Sequence, residues 1–212
     1  KTHNISNFSL SSIKKFRKVE EYRDSSKFLG LSLFKTGRAG TAIKYLRKNS
    51  NDIEALNALF ALMQFIESDT DRLELCAQYL SVNPADYRAF YQKALIYEKL
   101  GNSRLALEQY SKFYEQTAGK IEKAKYLPAV FRMAEILQKL EDYDKAANYF
   151  EICVNDNYRL QDALFNLGDC FYKMKNENKA EYYFSRLSDK KNAAVQLTEI
   201  YERRLQAVTG KF

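Results

Sequence analysis

Residues 161–190 read QDALFNLGDCFYKMKNENKAEYYFSRLSDK, and this stretch contains a clear periodic pattern. Its small and apolar residues recur at helical spacing in two groups: Leu164, Leu167, Gly168 and Phe171, then Ala180, Phe184 and Leu187. The first group lies at i, i+3, i+4 and i+7 and the second at i, i+4 and i+7, which places each group on one face of a helix. The polar residues 173–178 separate the groups. The stretch therefore predicts a hairpin of two amphipathic helices.

The same pattern recurs upstream, in units that begin near residues 23, 53, 87 and 127. A small residue late in the first helix lets the partner helix approach closely: Gly30, Ala94, Ala134 and Gly168. A second small residue has the same effect on the second helix: Ala42, Ala106, Ala146 and Ala180. An aromatic residue follows four positions later in three units: Tyr110, Phe150 and Phe184. One hairpin cannot bury this surface alone, so the units must stack.

This pattern resembles the tetratricopeptide repeat, a 34-residue helix-turn-helix unit. The resemblance implies an all-α fold, a right-handed superhelical solenoid. Its five hairpins cover residues 23–52, 53–86, 87–126, 127–160 and 161–190. The second repeat departs from the pattern, because Phe60 and Arg72 stand where small residues are expected. The third is six residues longer, which predicts an extended helix or a loop around residues 117–125.

The two ends are predicted to flank the repeats. Residues 1–22 form a tail and a basic leading helix, and residues 191–212 form a capping helix. Residues 1–50 contain 12 Lys and Arg against 3 Asp and Glu, although the net charge of the whole chain is only +7. Four of these cations are candidate contacts for nucleic-acid phosphates or an acidic membrane surface: Lys14, Lys15, Arg17 and Lys18. The alternative is a solvated helix face.

The composition argues against catalytic and metal sites. The only histidine is His3, and no glycine-rich phosphate-binding motif occurs. The three cysteines, Cys76, Cys153 and Cys170, have neither the even count of a disulfide framework nor the spacing of a zinc site. We expect them to be core residues. The sequence thus predicts no enzyme, no metal and no cofactor.

A candidate binding surface follows from the resemblance, which implies that the fifth, ninth and twelfth places of each repeat face the concave side. These places supply the predicted partner-binding residues: Tyr91, Leu95, Phe131, Glu135, Phe165, Asp169 and Tyr172. The rings either thicken the core or line a groove for a partner helix or extended segment, with the carboxylates recognising basic groups. The clamp by which some family members bind chaperone tails is not expected, because Leu31, Ala58 and Gln92 depart from it.

The predicted function is that of a scaffold or adaptor for protein–protein interaction. It would bind a partner protein in its groove and support the assembly or stability of a larger complex. The alternative is binding of nucleic acid or an acidic membrane surface through the basic N-terminal segment. The chain opens with Lys1. Its compartment is therefore left open: cytoplasmic, or cell envelope and periplasm if a signal or anchor has been removed. The richness in Lys, Asn, Tyr and Phe hints at a bacterial source.

Overall fold

The computed structural model describes residues 23–210, and all regular secondary structure in that range is helical. The α-helices are α1 (Arg23–Lys35), α2 (Ala39–Leu46), α3 (Ile53–Ala61), α4 (Asp69–Val82), α5 (Tyr87–Lys99), α6 (Ser103–Thr117), α7 (Lys123–Lys139), α8 (Tyr143–Asn155), α9 (Leu160–Lys173), α10 (Glu177–Ser185) and α11 (Ala194–Thr209). The predicted all-α fold is confirmed. The predicted leading helix, with Lys14, Lys15, Arg17 and Lys18, lies outside the described residues.

The chain divides into two compact units, one ending at Ile96 and the other beginning at Tyr97. In the first unit α1 packs on α2, and α3 packs on both of these helices and on α4. Its core contains Leu29, Leu33, Leu46 and Leu59, each at most 2% exposed. In the second unit each helix from α6 to α10 packs on the next. The largest fully buried side chains of that unit are aromatic: Tyr110, Phe131, Phe150 and Phe184.

The close approach predicted at the small residues is present in both units. A Cβ built on Gly168 of α9 would lie 2.6 Å from the Phe184 ring of α10. A Cβ on Gly30 of α1 would lie 2.8 Å from the Leu46 side chain of α2. Either contact is far shorter than carbon atoms tolerate. Only glycine therefore allows these helix pairs to pack as they do.

The hairpin turns of the second unit share one geometry. Asn102, Asp142 and Asn176 each cap the following helix, accepting a hydrogen bond at 3.3 Å from the backbone N–H three residues on. The residue before each cap has a left-handed backbone: Gly101 (φ 73°), Glu141 (φ 62°) and Lys175 (φ 60°). The polar turns identified in the sequence thus contain the N-cap residues of the second helices.

The second repeat accommodates its two large residues by local rearrangement. Phe60 stacks on Tyr79 of α4, with ring centroids 4.1 Å apart. After α3 the chain forms a short 3₁₀ helix, Met63–Phe65, before α4 begins. Arg72 reaches back from α4 and donates a hydrogen bond to the backbone carbonyl of Ile66. The linker between α3 and α4 is therefore held by a side chain where the other repeats have a small residue.

The additional residues of the third repeat fall between α6 and α7. Helix α6 ends at Thr117 and α7 begins at Lys123, with Gly119 in the left-handed region between them (φ 72°). Helix α7 is also the longest in the described range, at 17 residues. Its central turns contain Phe131 and Glu135, both of which line a cleft in the second unit.

Candidate partner-binding cleft

The seven predicted partner-binding residues are divided between the two units. Tyr91 and Leu95 lie on α5 in the first unit, where Tyr91 is half-buried and Leu95 is exposed. Phe131 and Glu135 lie on α7 in the second unit, and the remaining three lie on α9: Phe165, Asp169 and Tyr172. The second unit contains a cleft that three of the seven residues line: Phe131, Glu135 and Phe165.

The cleft has a volume of about 430 Å³ and lies where α7, α9 and the segment after α10 meet. Helices α7 and α9 are the first helices of consecutive hairpins, and α8 packs against both. Its lining includes the side chains of Phe131, Glu135, Arg159, Asp162, Phe165, Asn166, Leu187, Asp189 and Asn192. A concave site with a few convergent polar groups is the usual form of a ligand site in proteins.

The structure places Phe131 at the floor of the cleft, in the core. Its side chain is 1% exposed. Its ring makes edge contacts with Phe150 and Tyr158, at centroid distances of 5.5 and 6.1 Å. The guanidinium of Arg159 covers the ring, 4.4 Å from its centroid. Of the two alternatives left open by the sequence, core packing therefore describes this ring.

Phe165 lies in the wall of the cleft and is only half-buried. Its ring contacts Phe184 of α10 at a centroid distance of 6.0 Å. One part of the ring is thus held by the core, while the remainder is accessible from the cleft. Leu187, just beyond α10, adds a second apolar group to the same cleft. Together these two side chains give the cleft an apolar wall.

Two carboxamides in the cleft are available to a ligand. Within residues 23–210 the side chains of Asn166 and Asn192 make no hydrogen bond. Each carboxamide offers both a donor and an acceptor. By contrast, Gln161 is already engaged, because its side-chain oxygen accepts hydrogen bonds from the N–H and hydroxyl of Ser188 at 2.8 and 2.9 Å.

Glu135 is held at the edge of the cleft by an ion pair with Arg132, at 2.9 Å. The same guanidinium lies 3.4 Å from Glu98. The hydrogen bond to Glu135, the largest favourable contribution, raises the pKa of the Arg132 guanidinium above its usual value. One arginine therefore forms ion pairs with two carboxylates.

Asp169 and Tyr172 do not line the cleft. The Gln138 side chain of α7 donates a hydrogen bond to Asp169 at 2.8 Å. The Tyr172 hydroxyl donates to Glu199 of α11, which raises the pKa of that tyrosine. The Arg203 guanidinium lies 5.3 Å from the Tyr172 ring centroid. Both predicted residues thus connect α9 to neighbouring helices, and their role in binding stays a prediction.

The sequence reasoning missed the wall formed after α10. Leu187, Asp189 and Asn192 line the cleft, although they lie outside the first helices of the repeats. Leu187 belongs to the predicted packing pattern of the second helix, but no periodic signal marks Asp189 and Asn192, because their position depends on the path of the chain beyond Ser185. Asn166 is different, because it adjoins the predicted Phe165 in sequence. It could have been identified as a carboxamide residue next to one of the predicted rings.

Residues 23–210 contain neither a cluster of metal-ligand side chains nor a membrane-spanning helix. No group of His, Cys, Asp and Glu side chains in this range is arranged to hold a metal ion. None of the helices in the range is both long and apolar enough to cross a bilayer. The three cysteines are all buried, as the sequence predicted.

Two family models match the sequence, and both are described as tetratricopeptide repeat. One matches residues 87–118 and the other residues 131–194. The first range lies in the predicted third repeat, and the second covers most of the fourth repeat and all of the fifth, ending four residues beyond it. The resemblance inferred from small and aromatic residues is confirmed. A comparison with curated proteins finds no significant match.

Solved structures with a similar fold include MamA and YrrB. A crystal structure of MamA is 15% identical in sequence, with a TM-score of 0.57 over 87% of this chain and 94% of that one. A second MamA structure (AMB-1) is 20% identical, with a TM-score of 0.58 over 77% of this chain and 88% of that one. YrrB, described as a TPR protein with an unusual peptide-binding site, is 16% identical, with a TM-score of 0.59 over 93% and 96%. At these identities the likeness establishes the fold.

Proposed function

We propose that this chain, a tetratricopeptide-repeat protein, is a scaffold whose cleft between α7 and α9 holds a segment of a partner protein. Proteins of this family are in general modules for protein–protein interaction. Stacked helical repeats present continuous concave surfaces, which suit the binding of extended or helical segments. The observation that carries the proposal is the combination of an accessible Phe165 ring with the unbonded Asn166 carboxamide beside it.

An extended peptide fits the chemistry of this cleft. A peptide backbone presents N–H and C=O groups that lose water on binding and then need new partners. The carboxamides of Asn166 and Asn192 supply both kinds of partner. Phe165 and Leu187 supply apolar contact for a side chain of the bound segment. YrrB, whose description names a peptide-binding site, supports a peptide as the class of ligand.

The scaffold would act by holding the partner within a larger complex, whose assembly or stability depends on it. Family members are typically interaction modules without catalytic activity. The proposal therefore requires no cofactor and no reaction at the cleft. The alternative role for the basic segment that contains Lys14–Lys18, contact with phosphates or an acidic membrane, stays a prediction. Phosphate binding would weaken steeply with salt, whereas an aromatic and amide cleft would be less sensitive.

The test is affinity capture of partners from the source organism on the immobilised intact chain. Phe165→Ala and Asn166→Ala should each reduce the amount of the specific partner recovered. For a central anchor residue the expected loss is about 1–4 kcal/mol of binding free energy. Tyr182→Ala is the matched control, because Tyr182 on α10 is also aromatic and is 56% exposed. Equal recovery on all four chains, each shown to be folded by circular dichroism, would contradict the proposal.

A further inference from the structure

The cleft contains more negative than positive charge. Three carboxylates line it, those of Glu135, Asp162 and Asp189, against the single guanidinium of Arg159. Asp162 is already paired, because Arg159 Nε and Nη2 lie 2.9 and 2.8 Å from its Oδ2 atom. The remaining negative charge is therefore on Glu135 and Asp189, at the walls formed by α7 and by the segment after α10.

Neither of these two carboxylates is fully compensated. Glu135 shares the Arg132 guanidinium with Glu98, so one positive charge faces two negative charges. Asp189 accepts one hydrogen bond on Oδ1, from the backbone N–H of Lys191 at 3.0 Å. Its Oδ2 atom accepts none from the part of the chain that the structure describes. Both carboxylates can thus still bind a cation.

Arg159 shows what kind of side chain this cleft accepts. Its guanidinium lies 4.4 Å from the centroid of the Phe131 ring and is paired with Asp162 at the same time. An aromatic face attracts a cation, and the attraction strengthens where water is partly excluded. The cleft thus already holds one arginine between a ring and a carboxylate. The same types of group, Phe165 with Glu135 and Asp189, line the remainder of the cleft.

We propose that the partner segment bound in this cleft carries an arginine or lysine beside an apolar residue. The inference rests on the proposed function, since it specifies the ligand of the same cleft. The cation would neutralise Glu135 and Asp189, and the neighbouring apolar side chain would contact Phe165 and Leu187. An acidic segment would instead place like charges together in a partly enclosed site, which selects against it.

The experiment is selection of random 12-residue peptides by phage display on the intact chain. We expect the selected peptides to be enriched in Arg or Lys next to an apolar residue. In a titration of one synthetic selected peptide, replacing its basic residue by Gln should weaken binding about 10-fold or more, as for a charge-assisted contact. On the Glu135→Gln/Asp189→Asn chain the same replacement should change the dissociation constant less than about threefold. Glu202→Gln, an exposed carboxylate on α11, is the control and should behave as the parent chain.

Three results would overturn the inference, and they differ in meaning. Selected peptides whose binding requires Phe165 and Asn166 but shows no preference for basic residues would refute the basic-segment inference alone. Peptides that bind equally well to the Phe165→Ala and Asn166→Ala chains would refute the proposed use of the cleft, and the inference with it. A preference for basic residues that persists on the Glu135→Gln/Asp189→Asn chain would place the recognition elsewhere and would also count against the inference.

Discussion

Gly168 and Gly40 both lie within helices, but their surroundings differ. A Cβ on Gly168 would meet the buried Phe184 ring at 2.6 Å, whereas a Cβ on Gly40 would meet nothing within 4 Å. Gly168→Ala should therefore lower the free energy of unfolding by about 1–3 kcal/mol through overpacking. Gly40→Ala should raise it by up to about 1 kcal/mol through helix propensity. Urea denaturation measures both, and two changes of the same sign would contradict this account of the packing.

Phe131 and Phe165 occupy the same place in consecutive repeats but should respond differently to truncation. Phe131→Ala removes a ring that is 1% exposed. The free energy of unfolding should fall by about 3–5 kcal/mol. Phe165→Ala should cost less stability and should weaken peptide binding, because part of its ring is accessible. Thermal denaturation and a peptide titration of each variant separate the effect on stability from the effect on binding. Loss of binding without loss of stability in Phe131→Ala would show that the assignment is reversed.

Helix α2 lacks the start signal that the second helices of the later hairpins possess. Arg38, at its N-cap, has φ −89° and ψ 63° and makes no side-chain capping bond. Asn102 has nearly the same backbone, φ −88° and ψ 76°, and does cap α6. Arg38→Asn should therefore raise the free energy of unfolding by about 0.5–1.5 kcal/mol. It also removes a positive charge from the positive end of the helix dipole.

The matched control for this change is Asn102→Ala. It should lower the free energy of unfolding by about 0.5–2 kcal/mol through loss of the cap. Urea denaturation again supplies the measurement. If Arg38→Asn destabilised the chain, Arg38 would have to make a contact more favourable than a cap.

At the level of helices, the small-residue pattern predicted which faces meet. Ala134, Ala180 and Gly168 were expected at helix contacts, and all three are buried. The pattern could not show which rings remain accessible. Phe131 and Phe165 share the fifth place of their repeats, yet only Phe131 is covered, by Arg159. Arg159 has a left-handed backbone (φ 45°), which the sequence does not signal at a residue other than glycine. The wall after α10 could not be predicted either, since Leu187 indicated only helix packing and residues 188–192 follow no period.

Across the whole molecule, three buried thiols can be used to follow the unfolding of the two units separately. Burial raises the pKa of Cys76 to about 11, and those of Cys153 and Cys170 to about 12. At about pH 8 all three thiols therefore stay protonated in the folded state and should react slowly with an alkylating reagent. Cys76 lies in the first unit and the other two in the second. We expect Cys153 and Cys170 to become reactive together as urea is added.

We expect Cys76 to become reactive at a lower urea concentration, because its helix α4 packs on α3, which has only 9 residues. Helix α8, which contains Cys153, instead packs between α7 and α9, of 17 and 14 residues. Mass spectrometry of alkylated peptides at a series of urea concentrations reads each thiol separately. A single common transition for the three thiols would show that the chain unfolds as one cooperative body.

The central claim is that the cleft of the second unit binds the partner. The most direct measurement is photo-crosslinking in cells of the source organism, with a benzophenone amino acid at position 192 or at position 182. Asn192 lines the cleft, whereas Tyr182 is an exposed residue of α10 outside it. We predict a discrete crosslinked partner at 192 that is absent at 182 and is lost when Phe165→Ala is added. The same partner crosslinking at 182 and not at 192 would contradict the account.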